Sequence, residues 1–389
     1  MANLAYDQVK SSYTDTTPHK TVITDAIDII SPDDVPVVKY FGLNGSPGQF
    51  DMVNWPSTKY YWLEDTLTSL STTVASSISK NSSTIQVSDA TIFKTGDVVL
   101  VDSDKMWVSA TNDATQITVV HDFDGSSTTH ANSANIEIIG NARVEGADAD
   151  YERGVTDVGQ CYNYTQIFQD DVRISRTMNK LSQYGKVGDE FDYQAAKRVP
   201  EMTRLIEKSF FHGVRASGSG TASARAFGGM DYFMELASAS VAGGVVANTQ
   251  SLSGSAITRK DIEDTIQSCW DDGGNPNLII CNGWVKRKID AMFEGFVRTE
   301  RQEDRGGVMI STIDTNYGSL DILMSRWCPK TKMYIVESDY IGFLSYDPFF
   351  QEMLAKTGDA VKGQVVGEYG LVVKNAGAHG RISSISTTS

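Results

Sequence analysis

Five histidines, His19, His121, His130, His212 and His379, are scattered singly through the 389 residues. None stands three or four positions from another, the spacing at which one helix face offers two imidazoles to a metal. Cys161, Cys269, Cys281 and Cys328 form no Cys-x-x-Cys pair, so they read as buried free thiols, neither zinc ligands nor a disulfide framework. Asp102-Ser103-Asp104 and Asp122-Phe123-Asp124 could turn carboxylate oxygens toward a hard cation. Neither has the glycine and downstream glutamate of a calcium loop, and acidic turns are the simpler reading. Gly218-Ser219-Gly220 begins like a phosphate cradle, but the third glycine is missing and no Gly-Lys-Ser or Gly-Lys-Thr follows. The Gly-, Ala- and Ser-rich stretch 212–230 therefore reads as a flexible crossing between domains. Gly-x-Ser-x-Gly, the frame of a nucleophile elbow, is not written. No catalytic, cofactor-binding or metal site is expected, and the chain reads as a non-enzyme.

The elements that could have positioned such residues are better marked than the chemistry. Residues 160–175 alternate with the period of a strand and lead into GDEFDYQAAKRVPEMTRLIEKSFFHG, the one long helix the sequence writes clearly. Phe191, Ala195, Val199, Met202, Leu205, Ile206 and Phe210 step by three or four and predict one apolar stripe. Asp189 is the expected N-cap, Glu190 and Asp192 put negative charge on the first turn, and Gly213 is placed for a left-handed exit. From Glu190 to His212 the rod is roughly 35 Å at 1.5 Å per residue. Pro200 removes one backbone donor inside it, which predicts a kink within one helix. Lys197, Arg198, Glu201, Arg204 and Glu207 read as a solvated charged face, the alternative being a face that contacts a neighbouring subunit.

Composition bounds the rest. Hydrophobic residues make up 40% and charged residues 21%, ordinary for a folded chain. No apolar run is long enough to span a membrane, and MANLAYDQVKSS lacks the basic-then-apolar order of a secretory signal. The sequon at Asn163-Tyr164-Thr165 then carries no meaning. A net charge of −15 argues against a protein that grips nucleic acid through a basic stripe.

Residues 1–20 read as an extended arm without a core, followed by a short buried helix over 22–30 that Ser31-Pro32 ends. Trp55, Tyr60, Tyr61 and Trp62 suit a strand packed on one face. Between 66 and 140 the runs TIQV, VVLV, MWVS, QITVV and NIEII, punctuated by turns, predict a small all-β module inserted into a long loop. Residues 224–345 read as a layered α/β unit, with helix DIEDTIQSCW, strand LIICN and helix WVKRKIDAMFEGF, in which Val285, Ile289, Met292 and Phe293 share a side. The charged run 298–307 reads as a mobile loop, and the C-terminal residues return to strand-like alternation.

This order resembles the major capsid protein of tailed double-stranded DNA phages, the Hong Kong 97-type fold. The resemblance is carried by TDAIDIISPDDVPVVKYFG, WLEDTL at 62–67, VEGA at 144–147, YTQIFQDDVRIS at 164–175, the YGKVGDEFDYQAAKRVPEMTRLIE helix and the closing TGDAVKGQVVGEYGLVVKNAGAHGRI. It implies an α+β fold with an N-arm over 1–50, an extended loop over 51–160 with its β insertion at about 66–140, a peripheral strand and spine helix over 161–216, an axial domain over 217–345 with peripheral strands interleaved, and C-terminal peripheral strands over 346–389. It further implies a structural protein that self-assembles into hexamers and pentamers of an icosahedral head around double-stranded DNA, without specific DNA binding. Scaffolding, portal and decoration proteins are the implied partners, and no membrane is involved. Because capsid-like text begins almost at Met1, separate scaffolding is expected. Phe191, Val199, Met202, Leu205, Ile206 and Phe210 are the expected spine-helix packing residues for assembly. Lys80, Lys94 and Lys105 fall in the loop where some relatives cross-link covalently, but no local motif selects one. The alternative reading is a non-enzymatic β-rich surface or virion-attached binding protein, for which the Ser- and Thr-rich module is the support.

Overall fold

The computed structural model describes residues 34–43, 57–121, 123, 125, 128–146, 158–181, 189–219, 223–236, 246–293, 311–355 and 358–388. Most of the expected arm, the helix over 22–30, Trp55 and the charged loop 298–307 lie outside the described residues. From helix α1 (Pro36–Phe41) the chain passes to β1 (Lys59–Glu64), then β2 (Ser71–Thr73), β3 (Thr84–Gln86), β4 (Asp97–Val101), β5 (Asp104–Asp113), β6 (Gln116–Val120) and β7 (Asn135–Asn141). It returns along β8 (Gly159–Tyr164) and β9 (Gln166–Ser175) into α2 (Arg176–Lys180), α3 (Glu190–His212) and α4 (Met230–Met234). There follow β10 (Asn248–Ser251), α5 (Arg259–Asp271), β11 (Leu278–Cys281), α6 (Gly283–Phe293), β12 (Thr312–Thr315), β13 (Gly318–Met324) and β14 (Met333–Val336). The long strands β15 (Ile341–Met353) and β16 (Ala360–Val373) precede the last strand, β17 (Gly380–Ser383). Two compact units result, one built on Tyr61–Tyr162 and one that gathers Asn163–Leu236 and Ala247–Ser389.

In the first unit six strands form one antiparallel sheet in the order β2-β7-β4-β5-β6-β3. Period-two alternation puts Val99 opposite both Met106 and Ile138, and Val101 opposite Ile136, so one face collects the apolar side chains. Val108, Ile117 and Val119 complete that buried core with Ile85 and Val87. Asp97, fully buried, accepts hydrogen bonds from the Lys94 amide (3.0 Å) and from Asn141 Nδ2 (2.9 Å).

The single strand expected over 160–175 is two. β8 pairs with β1, whereas β9 pairs with β16, and the switch falls at Thr165. Thr165 is buried there because its hydroxyl donates to the Thr58 carbonyl and also engages Glu368. Asn163 fastens the same corner, donating to the carbonyls of Gly228 (3.1 Å) and Leu371 (2.7 Å) and accepting from the Gly228 amide (2.8 Å).

The second unit holds a mixed six-stranded sheet, β10-β17-β14-β11-β13-β12, and a three-stranded antiparallel sheet, β15-β16-β9. Every residue of β11 and β14 is buried, as a strand covered on both faces requires. Ile279, Cys281, Met333, Ile335 and Leu320 pack with Ile262 and Ile266 of α5 and Val285 and Ile289 of α6. A capping box between Thr258 and Asp261 starts α5. The ring of Phe211 of α3 lies tilted 5.7 Å from that of Tyr334 of β14. The other end of α3 lies on the three-stranded sheet, where Phe191 crowds Gly363 so closely that an added Cβ would sit 2.4 Å from its Cζ. One helix thus ties the two sheets of this unit together.

β17 joins the sheet of β10–β14 and not the strands of 346–389, because it pairs in parallel with β10 and antiparallel with β14. Ile341–Ser345 belong to β15, so position 345 falls inside a strand. The stretch after α3 is a paired hairpin where a flexible crossing was expected, with bridges Ala216↔Ala226 and Ser219↔Ser223. Gly213 is not left-handed: its φ is −56° and ψ 141°. Glycine is required for space, since an added Cβ would lie 2.6 Å from the carbonyl oxygens of Phe227 and Ser209. There the Gly229 amide donates to the Gly213 carbonyl at 2.8 Å.

Candidate functional site

The long helix is the element on which the subunit turns. Asp189 caps it, its carboxylate accepting from the Phe191 amide at 2.9 Å, and α3 runs through Pro200 as one helix. Phe191, Ala195, Met202, Ile206 and Phe210 are buried. Val199 and Leu205 are not: they are 39% and 52% exposed. No residue between Ala195 and Met202 is buried, so Val199 and Pro200 sit on a turn that the chain's own sheets leave uncovered. Leu205 fails for a different reason. At roughly 100° per residue, Glu207 stands almost opposite Leu205, and Glu207 and Phe211 are the buried side chains there. The C-terminal half of α3 therefore buries the arc through residues 206, 207, 210 and 211. Stepping back by four from Phe211 would have included Glu207 in the stripe, whereas its charge had placed it on the solvated face.

Glu207 is fully buried and has work to do. Its Oε1 accepts from Ser325 Oγ at 2.5 Å and its Oε2 from the Val38 amide at 3.5 Å. Helix α1 has no side-chain cap of its own, so a residue 169 positions away supplies an acceptor to its first turn. Burial pushes the Glu207 carboxyl up to about 7, against the pull of these donors. The same junction is held by Arg326 Nε on Asp34 (3.0 Å), by Trp327 Nε1 on the Asp34 carbonyl (2.9 Å) and by Phe41 stacked 6.0 Å from Phe210. Lys208 lies 4.7 Å above the Trp327 ring.

A second polar centre ties α4 to the six-stranded sheet. Asp231 accepts from Lys332 Nζ (2.7 Å), Tyr334 Oη (2.8 Å) and Arg381 (3.0 Å). Burial would raise its carboxyl, but these donors together hold it below the usual carboxylate range. His379 is fully buried, with Nε2 donating to the Lys374 carbonyl (3.0 Å) and Nδ1 accepting from the Glu337 amide (3.3 Å); burial lowers it to about 4. Asp102 and Asp104 engage His130 at 2.7 and 3.1 Å, and Asp104 also accepts from the amide and hydroxyl of Thr128. These carboxylates fasten a hairpin to the loop before β7. Asp122 and Asp124 lie outside the described residues. All four cysteines are buried, and burial pushes the thiols of Cys269 and Cys281 up to about 12, away from nucleophilic or ligand chemistry at neutral pH.

These polar groups bind parts of the subunit to one another. Several large apolar side chains also face outward: Leu67 at 97% exposure, Tyr61, Leu63 and Val144 in the first unit, and Met353 at 65% with Leu205 in the second. Among the described residues no helix is long and apolar enough to cross a membrane.

A family model for the SU10 major capsid protein matches residues 10–386. The chain belongs to the SU10 major capsid protein family. No curated protein matches it. Among solved structures it is similar to the capsid of a native GTA particle, at 10% identity over 96% of this chain and 97% of that one, with a TM-score of 0.54. The capsid of an empty GTA particle is similar at 9% identity over 97% and 100%, with a TM-score of 0.52. A structure from Mycobacterium phage Bobi matches at 9% identity over 94% and 95%, with a TM-score of 0.48. The α+β, Hong Kong 97-type capsid fold is thereby shown. As an SU10-family capsid protein the chain is a structural, non-enzymatic subunit of the virion shell.

Proposed function

We propose that this SU10-family chain forms hexamers and pentamers that close an icosahedral head around double-stranded DNA. The observation that carries the reading is the match to the SU10 major capsid protein family over residues 10–386, and the large apolar side chains left exposed on the subunit, Leu67 above all, agree with it. In a shell these side chains would meet the next copy. In this reading the unit on Tyr61–Tyr162 is the extended loop with its β insertion, and α3 with the three-stranded sheet is the spine and peripheral domain. The six-stranded sheet with α5 and α6 is the axial domain, completed by β17. The chain ahead of α1 is the arm. Val199 and Leu205, uncovered on α3, take their place as contacts with a neighbour, while Phe191, Met202, Ile206 and Phe210 hold the helix within the subunit.

Each contact between copies is heterologous and closes into a ring when its rotation permits. Area is multiplied over many copies, so single contacts can be modest. The GTA capsid of similar fold was computed with five-fold symmetry, which agrees with rings of that kind. Scaffolding, portal and decoration proteins complete the proposed partners. An overall charge of −15 supports an inner wall beside which DNA packs without being gripped; a strongly basic concave surface in the assembled shell would contradict that part. Electron microscopy of the purified full-length chain tests the reading: closed shells, tubes or capsomer rings are expected, and a clean monomer at all concentrations would overturn it.

A further inference from the structure

The six-stranded sheet of the second unit carries opposite charge at its two ends, each beside a tryptophan that is exposed or half-buried. β11 and β13 run parallel, with Leu278 opposite Asp321 and Cys281 opposite Met324. Residues that precede these strands therefore share one end of the sheet, and residues that follow them share the other. At the entry end Trp270, near the close of α5, is 55% exposed and its ring lies 5.7 Å from that of Tyr317 in the turn before β13. Asp271 and Asp272 come next, both exposed. At the exit end Trp284, on the first turn of α6, has the Arg287 guanidinium 4.4 Å and the Lys288 ammonium 5.3 Å from its ring centroid. Exposed Met324 lies beside it, its sulfur 3.4 Å from where a Cβ on Gly283 would stand.

Trp, Tyr and Arg are the side chains that most often carry the free energy of an interface; here Trp270 and Arg287 are exposed, and Tyr317 and Trp284 half-buried, at two places with opposite charge around them. Two like ends brought together would set carboxylate against carboxylate or guanidinium against ammonium. Unlike ends attract. A single chain cannot make the match itself: the seven steps from Tyr317 to Met324 hold the ends roughly 20 Å apart at about 3.3 Å per residue. The partner with the right chemistry is a second copy of this chain. Joining unlike ends is a head-to-tail contact, which generates rings.

We infer that the Trp270–Tyr317 end of one copy's sheet, with Asp271 and Asp272, docks against the Trp284, Arg287 and Lys288 end of the next. This contact rests on the ring-forming reading above and names the surfaces that make the ring.

The test exchanges the charges in the full-length chain. Asp271→Lys with Asp272→Lys, and separately Arg287→Glu with Lys288→Glu, should each lower the yield of rings and shells at least ten-fold, with the subunit still folded by circular dichroism. All four substitutions in one chain restore unlike ends and should recover assembly. Mixing the two double variants should give alternating rings with an even number of members. Assembly of both double variants at wild-type yield would overturn the contact and leave the shell reading standing. So would a folded four-fold variant that does not recover. Failure of the unaltered chain to assemble would instead overturn the ring-forming reading and the contact with it.

Discussion

At Ile206 and Leu205 two adjacent apolar residues on one helix have opposite fates, and the difference is measurable. Ile206→Asp places a charge without a partner in a fully buried position and should destabilise the subunit by roughly 3–5 kcal/mol. Leu205→Asp faces solvent and should change subunit stability by no more than about 0.5 kcal/mol, while lowering particle yield if Leu205 meets a neighbour. Urea unfolding of the dissociated subunits, paired with particle counts, separates the two effects. Equal destabilisation by both would contradict the rotation of the buried arc.

Glu207 and His379 make opposing contributions to pH dependence. The folded-state pKa of Glu207, about 7, lies above its ordinary 4.5, so the folded state holds the proton more tightly. Its contribution is fully present below pH 4.5 and is lost as pH rises through 7. At about 1.4 kcal/mol per pH unit this is roughly 3 kcal/mol. His379 runs the other way: lowered from 6.5 to about 4, it contributes above 6.5 and its contribution is lost as pH falls through 4. The two largely cancel between 4.5 and 6.5. Glu207→Gln should therefore unmask stability that rises with pH across that window, read from urea midpoints at pH 4.5, 5.5 and 6.5. A profile parallel to that of the unaltered chain would contradict the assignment.

At the scale of elements, the crossing after α3 depends on two glycines for space. Gly229→Ala would bring a Cβ within 2.5 Å of the Ser209 carbonyl and 2.7 Å of the Gly213 amide nitrogen, both backbone atoms that cannot step aside. A loss of at least about 2 kcal/mol is expected. Gly140→Ala meets nothing within 4 Å and should be nearly neutral, so thermal melts of the pair provide an internal control. Much at this scale was legible beforehand. Period-two runs located β3 to β7, and the cap at Asp189 and the end near Gly213 bounded α3, because both signals are local. What was not legible depends on distant chain. The break at Thr165 is set by Thr58 and Glu368, the sheet of β17 by β10 and β14, and the burial of Glu207 by Ser325 and α1. Gly213 reads in sequence as a cap, but its reason is Phe227, fourteen residues later. The surfaces at Trp270 and Trp284 carry no motif, and only the parallel register of β11 and β13 places them at opposite ends.

For the whole molecule, shell formation follows from the family, the fold and the surface together. The subunit has buried polar centres at Asp231, Asn163 and Glu207 that hold its parts together, yet it leaves Leu67, Leu205 and Met353 uncovered. Burying an exposed leucine is worth about 2 kcal/mol, so a few such residues per contact, repeated around closed rings, suffice to hold a shell. The most direct measurement is hydroxyl-radical footprinting of these side chains in dissociated subunits and in intact particles. The account predicts at least several-fold weaker labelling of Leu67, Leu205 and Met353 in particles, with Met202 and Ile206 unlabelled in both. Equal labelling of the three in subunits and particles would contradict it.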